Sequence, residues 1–314
     1  MEIFDRTNID TTSQDEEELD LLDLTPELAQ KRRSQGRIIL DRFLRNRTAT
    51  AGAIFLILMV LLCFIGPVIT GHNHPDDVNV AAPFSGPSLQ FPLGADDVGR
   101  DLFARALAGG QISLLVGLSS MLVSVTLGTL IGAFAGYYGG IIDNILMRTT
   151  DTVLAIPLYL LLFVLSASFT NGSPATIIPL IAIFGWTTSA RLIRGEFLAL
   201  KEREFVRAAQ TVGARSFRVM FRHILPNAIG PIVVNATLLV GGNIILESIL
   251  SYFGFGIKIP IPSWGNMVSD GQGFFDVDPK LVFVPGLLIF FTVLSCNLVG
   301  DGLRDALDPQ MTER

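Results

Sequence analysis

ISLLVGLSSMLVSVTLGTLIGAFAG, residues 112–136, contains no charged side chain. It exceeds the roughly 20 apolar residues that an α-helix needs to cross the hydrocarbon layer of a bilayer. Inside that layer every backbone N–H and C=O must be satisfied within the segment, so the run predicts a membrane-spanning helix. Gly128, Gly132 and Gly136 recur at four-residue spacing and share one face of that helix. Such a stripe lets another membrane helix approach closely, so the three glycines are expected packing contacts within the bundle or against another subunit.

Five further charge-poor runs flank this one: Ala49–Thr70, Thr152–Phe169, Pro174–Ala190, Ala228–Leu250 and Leu281–Gly300. The fourth span, Pro174–Ala190, is short and is expected to continue as a helix through RLIRGEFLALK. Among the six only the fifth holds an ionisable residue, Glu247, expected near the membrane interface because a charge facing lipid is costly. Composition points the same way. The chain is 50% hydrophobic and only 17% charged, with a mean hydropathy of +0.51, whereas an ordinary globular domain has about a quarter of its residues charged. The expected fold is therefore an all-α integral membrane protein with six transmembrane helices. Its parts are a tail with an amphipathic segment at 1–48, a first span at 49–70, an outer loop at 71–111, a core of five spans at 112–300 and a terminal segment at 301–314.

Lys and Arg set the orientation, since positively charged loops stay on the cytoplasmic side. With the N-terminus inside, 19 of the 23 basic residues fall on inner segments, leaving only Arg100, Arg105, Lys258 and Lys280 outside. Both termini are expected to be cytoplasmic. The first span follows a polar tail of almost 50 residues, so it does not read as a cleaved signal peptide. The acidic stretch QDEEELD in that tail has no apolar periodicity and reads as a solvated segment, and the net charge of −6 comes partly from it. Cys63 and Cys296 lie inside predicted spans and read as packing residues. His72 and His74 lack the further ligands of a metal site. After the second span, Asp143, Arg148 and Asp151 are expected to pair locally.

Between the fourth and fifth spans lies a basic loop, residues 191–227. Phe205, Ala208, Ala209 and Val212 fall at helical spacing and form one apolar stripe, with Arg207 and Gln210 off it. Gly213 breaks the pattern as a residue able to adopt a left-handed turn. A second helix over Ser216–Leu225 then carries Phe217, Met220, Phe221 and Ile224 on its apolar side, ending at Pro226. An amphipathic pair lying on anionic lipid is one reading. Short side chains at Ala208 and Ala209 beside a sharp turn favour insertion into a groove on a partner protein.

AAQTVGARSFRVMFRHILP resembles the cytoplasmic-loop signature of ABC importer permeases: E-A-A, three residues, G, nine residues, I, one residue, L-P. Ala208, Ala209, Gly213, Leu225 and Pro226 match in register, while Arg207 stands at the Glu position and His223 at the Ile position. FPLGADDVGRDLFARALAGGQISLLVG, AGYYGGIIDNILMRTTDTVLAIP, LESILSYFGFGIKIPIPSWGNMVSDG and GDGLRDALDP extend the resemblance to the dipeptide/oligopeptide/nickel branch, in its second permease subunit.

That resemblance implies a type I importer permease fold in a bacterial inner membrane. It implies a homologous second permease, two ATPase subunits and an extracytoplasmic substrate-binding protein as partners, with lipid around them and no nucleic acid. Glu204, Phe205, Arg207, Ala208, Ala209, Gly213, Leu225 and Pro226 would form the loop that docks on an ATPase. None of the four lysines follows a glycine, so the chain has no phosphate-binding loop and the partners would hold ATP and Mg²⁺. No cofactor, metal or catalytic set is expected in this chain. Di- or oligopeptides are the implied cargo, with nickel or another small solute as the alternative. A secondary transporter would need ion-coupling residues within its spans, and a membrane-embedded enzyme a catalytic constellation at a span end. The Gly- and Pro-rich outer loop SYFGFGIKIPIPSWGNMVSDG carries Phe255 and Trp264, read as contacts for the binding protein or as parts of a structural cap.

Overall fold

The computed structural model describes residues 35–71, 75–78, 83–169 and 172–307. The acidic stretch, His72 and His74 lie outside them. Eleven helices are labelled here among the described residues: α1 (Gln35–Arg45), α2 (Arg47–Thr70), α3 (Leu102–Tyr138), α4 (Gly140–Ala155), α5 (Leu158–Ala167), α6 (Pro174–Lys201), α7 (Glu204–Thr211), α8 (Ser216–Arg218), α9 (Ile229–Tyr252), α10 (Trp264–Gln272) and α11 (Lys280–Leu307). A π-helical turn, Val219–Ile224, and a 3-10 turn, Leu225–Asn227, join α8 to α9. Residues 42–307 belong to one compact unit; of residues 1–41 only the start of α1 is described. Among the described residues the only β-type pairing is a single bridge between Ala95 and Asp101.

Local chemistry sets the helix ends. Asn46 caps α2 by accepting the Ala49 N–H at 3.2 Å, and Asp101 caps α3 through the Phe103 N–H at 2.9 Å. Gly71, at φ 74°, closes α2 in a left-handed turn. Pro174 opens α6, where its missing N–H costs nothing. Along α2 the side chains of Ile57, Leu58, Val68 and Ile69 stay more than half exposed, so the outside of the bundle is apolar and suited to lipid.

Five helices, α2, α3, α6, α9 and α11, are each long and apolar enough to cross a bilayer. The third expected span, Thr152–Phe169, is instead the last turn of α4, a break at Ile156 and Pro157, and α5, with the two helices bent by 80°. Pro157 has no N–H to donate and pushes Ile156 into an extended conformation, φ −81° and ψ 131°. At about 1.5 Å per residue, α5 alone reaches only part of the way across a bilayer. Counted as one broken span the pair gives six crossings, and counted as a re-entrant loop it leaves five. The second span begins ten residues before the charge-free run does, because Arg105 is folded inside the protein rather than left in a loop. The fourth continues unbroken to Lys201.

The longest seam joins α3 to α6, and the glycine stripe forms it. A Cβ on Gly132 would lie 2.5 Å from the Ala190 carbonyl oxygen, and one on Gly136 would lie 2.6 Å from Phe197 Cβ. A Cβ on Gly128 would overlap Ser189. These glycines therefore pack within the chain, where only a bare Cα lets the two backbones meet.

Candidate functional site

The loop between α6 and α9 lies at the end of the bundle where α3 gives way to α4; we call this the basic end. Lys201 Nζ donates to the Tyr137 carbonyl at 2.6 Å and sits 5.6 Å above the Tyr137 ring, tying the last turns of α6 and α3 together. Arg194 makes a two-pronged pair with Asp143, at 2.5 and 2.7 Å, and Arg191 reaches Asp151 at 2.5 Å. The expected local pairing of Asp143 and Asp151 with Arg148 is thus corrected. Helices α4 and α6 run side by side, and α6 supplies both cations.

On this platform the loop folds around one inward anchor. Val206 of α7 is fully buried with Phe197, Ile193, Val219, Met220 and Ile224. Phe205, Ala208 and Val212 point away from that core, with Phe205 40% and Val212 89% exposed, while Ala209 is half-buried. The expected stripe is therefore an outward face that the chain itself leaves uncovered. Val206 was missed in the sequence because the pattern of period three and four picked the other side of the same short helix.

Gly213 has φ +83°, and the turn is closed by the Gly213 N–H to Gln210 and the Ala214 N–H to Ala209, at 2.9 and 3.1 Å. Nothing lies within 4 Å of where its Cβ would be, so backbone conformation alone calls for glycine here. The expected second helix is irregular: its π turn leaves Met220 and Ile224 buried, Phe221 half-buried and Phe217 exposed against it at 4.4 Å between ring centres. Leu225 is half-buried and Pro226 exposed where the segment returns to α9. A groove of about 840 Å³ beside the turn is lined by Gly213, Arg215, Phe217, Arg218, Arg222 and Pro226. Glu204 is exposed on the first turn of α7. Arg207 pairs with Glu202 at 2.9 Å, both side chains 68% exposed, a geometry worth little in water.

At the far end of the bundle, residues 253–272 form a cap over α3, α9 and α11. Trp264 is fully buried, donates its indole N–H to the Ala106 carbonyl at 2.9 Å and packs on Gly109 and Gly110 of α3. Phe255 is partly buried against Phe163, 5.1 Å between ring centres. Of the two readings of this loop, the burial of Trp264 fits the structural cap, because the loop folds back onto the spans, while Phe255 keeps part of its ring exposed. Arg105 is 3% exposed, with Nη1 3.4 Å from Asp76, Nε 3.8 Å from Asp96 and Nη2 3.8 Å from Asp270. Burial pushes the Asp270 carboxyl above its usual range, against the pull of Arg105 and Arg100. Glu247 does not reach an interface either; it is fully buried between α9, α3 and the cap.

A bundle of five or six helices long and apolar enough to cross a bilayer, with apolar side chains left on its outside, fits a membrane-embedded subunit. Residues 128–313 match the family described as binding-protein-dependent transport system inner membrane component, and the chain belongs to that family of ABC importer permeases. It is an integral inner membrane protein and one component of a transporter complex. Residues 34–87 match the N-terminal TM domain of oligopeptide transport permease C. The chain is 38% identical over 270 residues to the oligopeptide transport system permease protein OppC of Bacillus subtilis, covering 86% of this chain and 88% of that protein. The glutathione transport system permease protein GsiD of Pectobacterium atrosepticum is likewise 38% identical, over 86% of this chain and 89% of its own. The dipeptide transport system permease protein DppC of Alkalihalophilus pseudofirmus is 38% identical, over 85% and 87%.

Proposed function

We propose that this chain is one of two membrane subunits of an ATP-driven importer of short peptides, and that the outward face around Gly213 is its joint with an ATPase. The observation that carries this is the contrast within one eight-residue helix: Val206 is locked into the core while Phe205 and Ala208, with Val212 just past the helix end, stand in the open. A soluble face of this kind is stabilised when a partner groove covers it.

Short side chains at Ala208 and Ala209 permit close approach, and the arginines flanking the groove orient the partner. Two ATPase subunits would hold ATP and Mg²⁺, and this chain contributes no catalytic group. The basic end faces the cytoplasm by the distribution of Lys and Arg. Closure of the ATPases pulls on α7, and the anchors at Val206 and Lys201 pass that displacement to α6 and α3. A homologous permease completes the path, and an extracytoplasmic binding protein delivers the peptide. Peptide cargo is argued from the oligopeptide and dipeptide permeases among the relatives.

The test is purification of the tagged chain from its own membranes. ATPase subunits and a second permease should accompany it, and tripeptide uptake by the reconstituted complex should require ATP. A chain that purifies alone and drives uptake without ATP would overturn the assignment.

A further inference from the structure

Glu247 sits one turn and a half from the far end of α9, fully buried, and among the described residues no cation is paired with it. A carboxylate in such a place is costly unless hydrogen bonds hold it. Here two hydroxyls do so. Ser113 Oγ of α3 donates to Oε2 at 2.9 Å and Ser251 Oγ of α9 donates to Oε1 at 2.6 Å.

Each serine has one proton, so giving it to the carboxylate turns the oxygen lone pairs away from Glu247. In both cases a backbone N–H of the cap meets that oxygen. Ile257 donates to Ser251 at 3.0 Å and Trp264 to Ser113 at 3.2 Å. One acceptor thus sets the direction of two hydroxyls, and those hydroxyls hold the cap at two points, to α3 and to α9. Close packing reinforces the joint: a Cβ on Gly265 would lie 2.6 Å from Ser248 Cα of α9.

We propose that Glu247 is a positioning residue for import: through Ser113 and Ser251 it fastens the cap to α3 and α9, so that the cap and the outer ends of these spans move as one body. The proposal goes beyond the peptide-importer reading and rests on that reading only for its transport readout. Glutamine in place of Glu247 keeps the size but substitutes an NH₂, a donor, for one acceptor oxygen. At least one serine must then turn, and its cap amide loses its acceptor.

The experiment is hydrogen exchange on the reconstituted full complex, both nucleotide-free and trapped with ATP and vanadate. It is combined with ATP hydrolysis, with and without binding protein loaded with trialanine. In the wild-type complex the amides of Ile257 and Trp264 should stay protected in both states. Glu247→Gln should lower their protection about tenfold, as for a buried donor left without its acceptor, and should lower stimulated hydrolysis relative to basal. Cap amides that become exposed in one wild-type state would overturn the proposal. So would faster exchange with unchanged stimulation, or a Glu247→Gln complex equal to wild type in both readouts. If that variant fails to assemble, Ser113→Ala decides: faster exchange at Trp264 with reduced stimulation supports the proposal, and wild-type behaviour overturns it. Should trialanine-loaded binding protein fail to stimulate even the wild type, the peptide reading falls, while the exchange comparison still decides whether Glu247 fastens the cap.

Discussion

The two ends of the bundle are built on opposite principles. At the far end the large side chain Trp264 and the carboxyl of Glu247 are fully buried, and the loop that carries the aromatics is bonded to the spans beneath it. At the basic end a short helix is held by one buried valine and shows Phe205 and Val212 to the outside. Hydrophobic surface left open is a cost that association removes. The difference separates a part that packs against its own chain from a part whose apolar surface this chain leaves open, the surface we propose an ATPase covers.

Substitutions can break that contrast. The largest effect is expected where the whole bundle depends on one seam: Gly132→Leu places a side chain into the Ala190 carbonyl and Ile193, where neither backbone can retreat. Overpacking usually costs about 1–3 kcal/mol and occasionally more; against two facing backbones the cost should exceed that of any truncation, and the variant should be lost from the detergent-soluble, monodisperse fraction in size-exclusion chromatography. Next, Trp264→Ala should destabilise the chain by about 3–5 kcal/mol, the usual cost of truncating a buried aromatic, seen as a lower midpoint in thermal unfolding by tryptophan-independent circular dichroism. If Trp264 instead served a partner, the isolated chain would melt as wild type. Val212→Asp should leave the melting of the isolated chain unchanged, because the side chain is 89% exposed. It should weaken ATPase retention about tenfold or more, through a charge set against an apolar groove. Arg207→Ala should be the mildest, changing stability by less than about 1 kcal/mol because its pair with Glu202 is solvated.

Most of the architecture is legible in the sequence, since the lengths of charge-free runs are dictated by the bilayer. The positions of Gly128, Gly132, Gly136 and Gly213 follow from spacing and turn chemistry. The broken third span is visible only once Pro157 is weighed against an otherwise unbroken apolar run. What the sequence hides is pairing across the fold. Asp143 finds Arg194 fifty-one positions away, and Ser113 meets Glu247 at a separation of 134; no local pattern records either. The same limit made Trp264 and Phe255 look like surface residues. A Gly- and Pro-rich aromatic loop reads alike whether it folds outward to a partner or back onto its own spans. Val206 and Phe205, adjacent on a short amphipathic helix, exchange roles for a related reason. Where a helix is clasped by the core on one side and a partner on the other, both of its faces carry apolar residues.

The central claim is that the turn at Gly213 aims the exposed face of α7 at an ATPase. Its φ of +83° is one that a β-branched residue adopts only at about 1–2 kcal/mol or by shifting the turn, while open space around it within this chain rules out an internal clash. Gly213→Val should insert and fold normally, and in the reconstituted complex should lose ATPase subunits or hydrolyse ATP without matching uptake. Measured together, subunit retention, hydrolysis and peptide uptake all at wild-type levels would contradict the account.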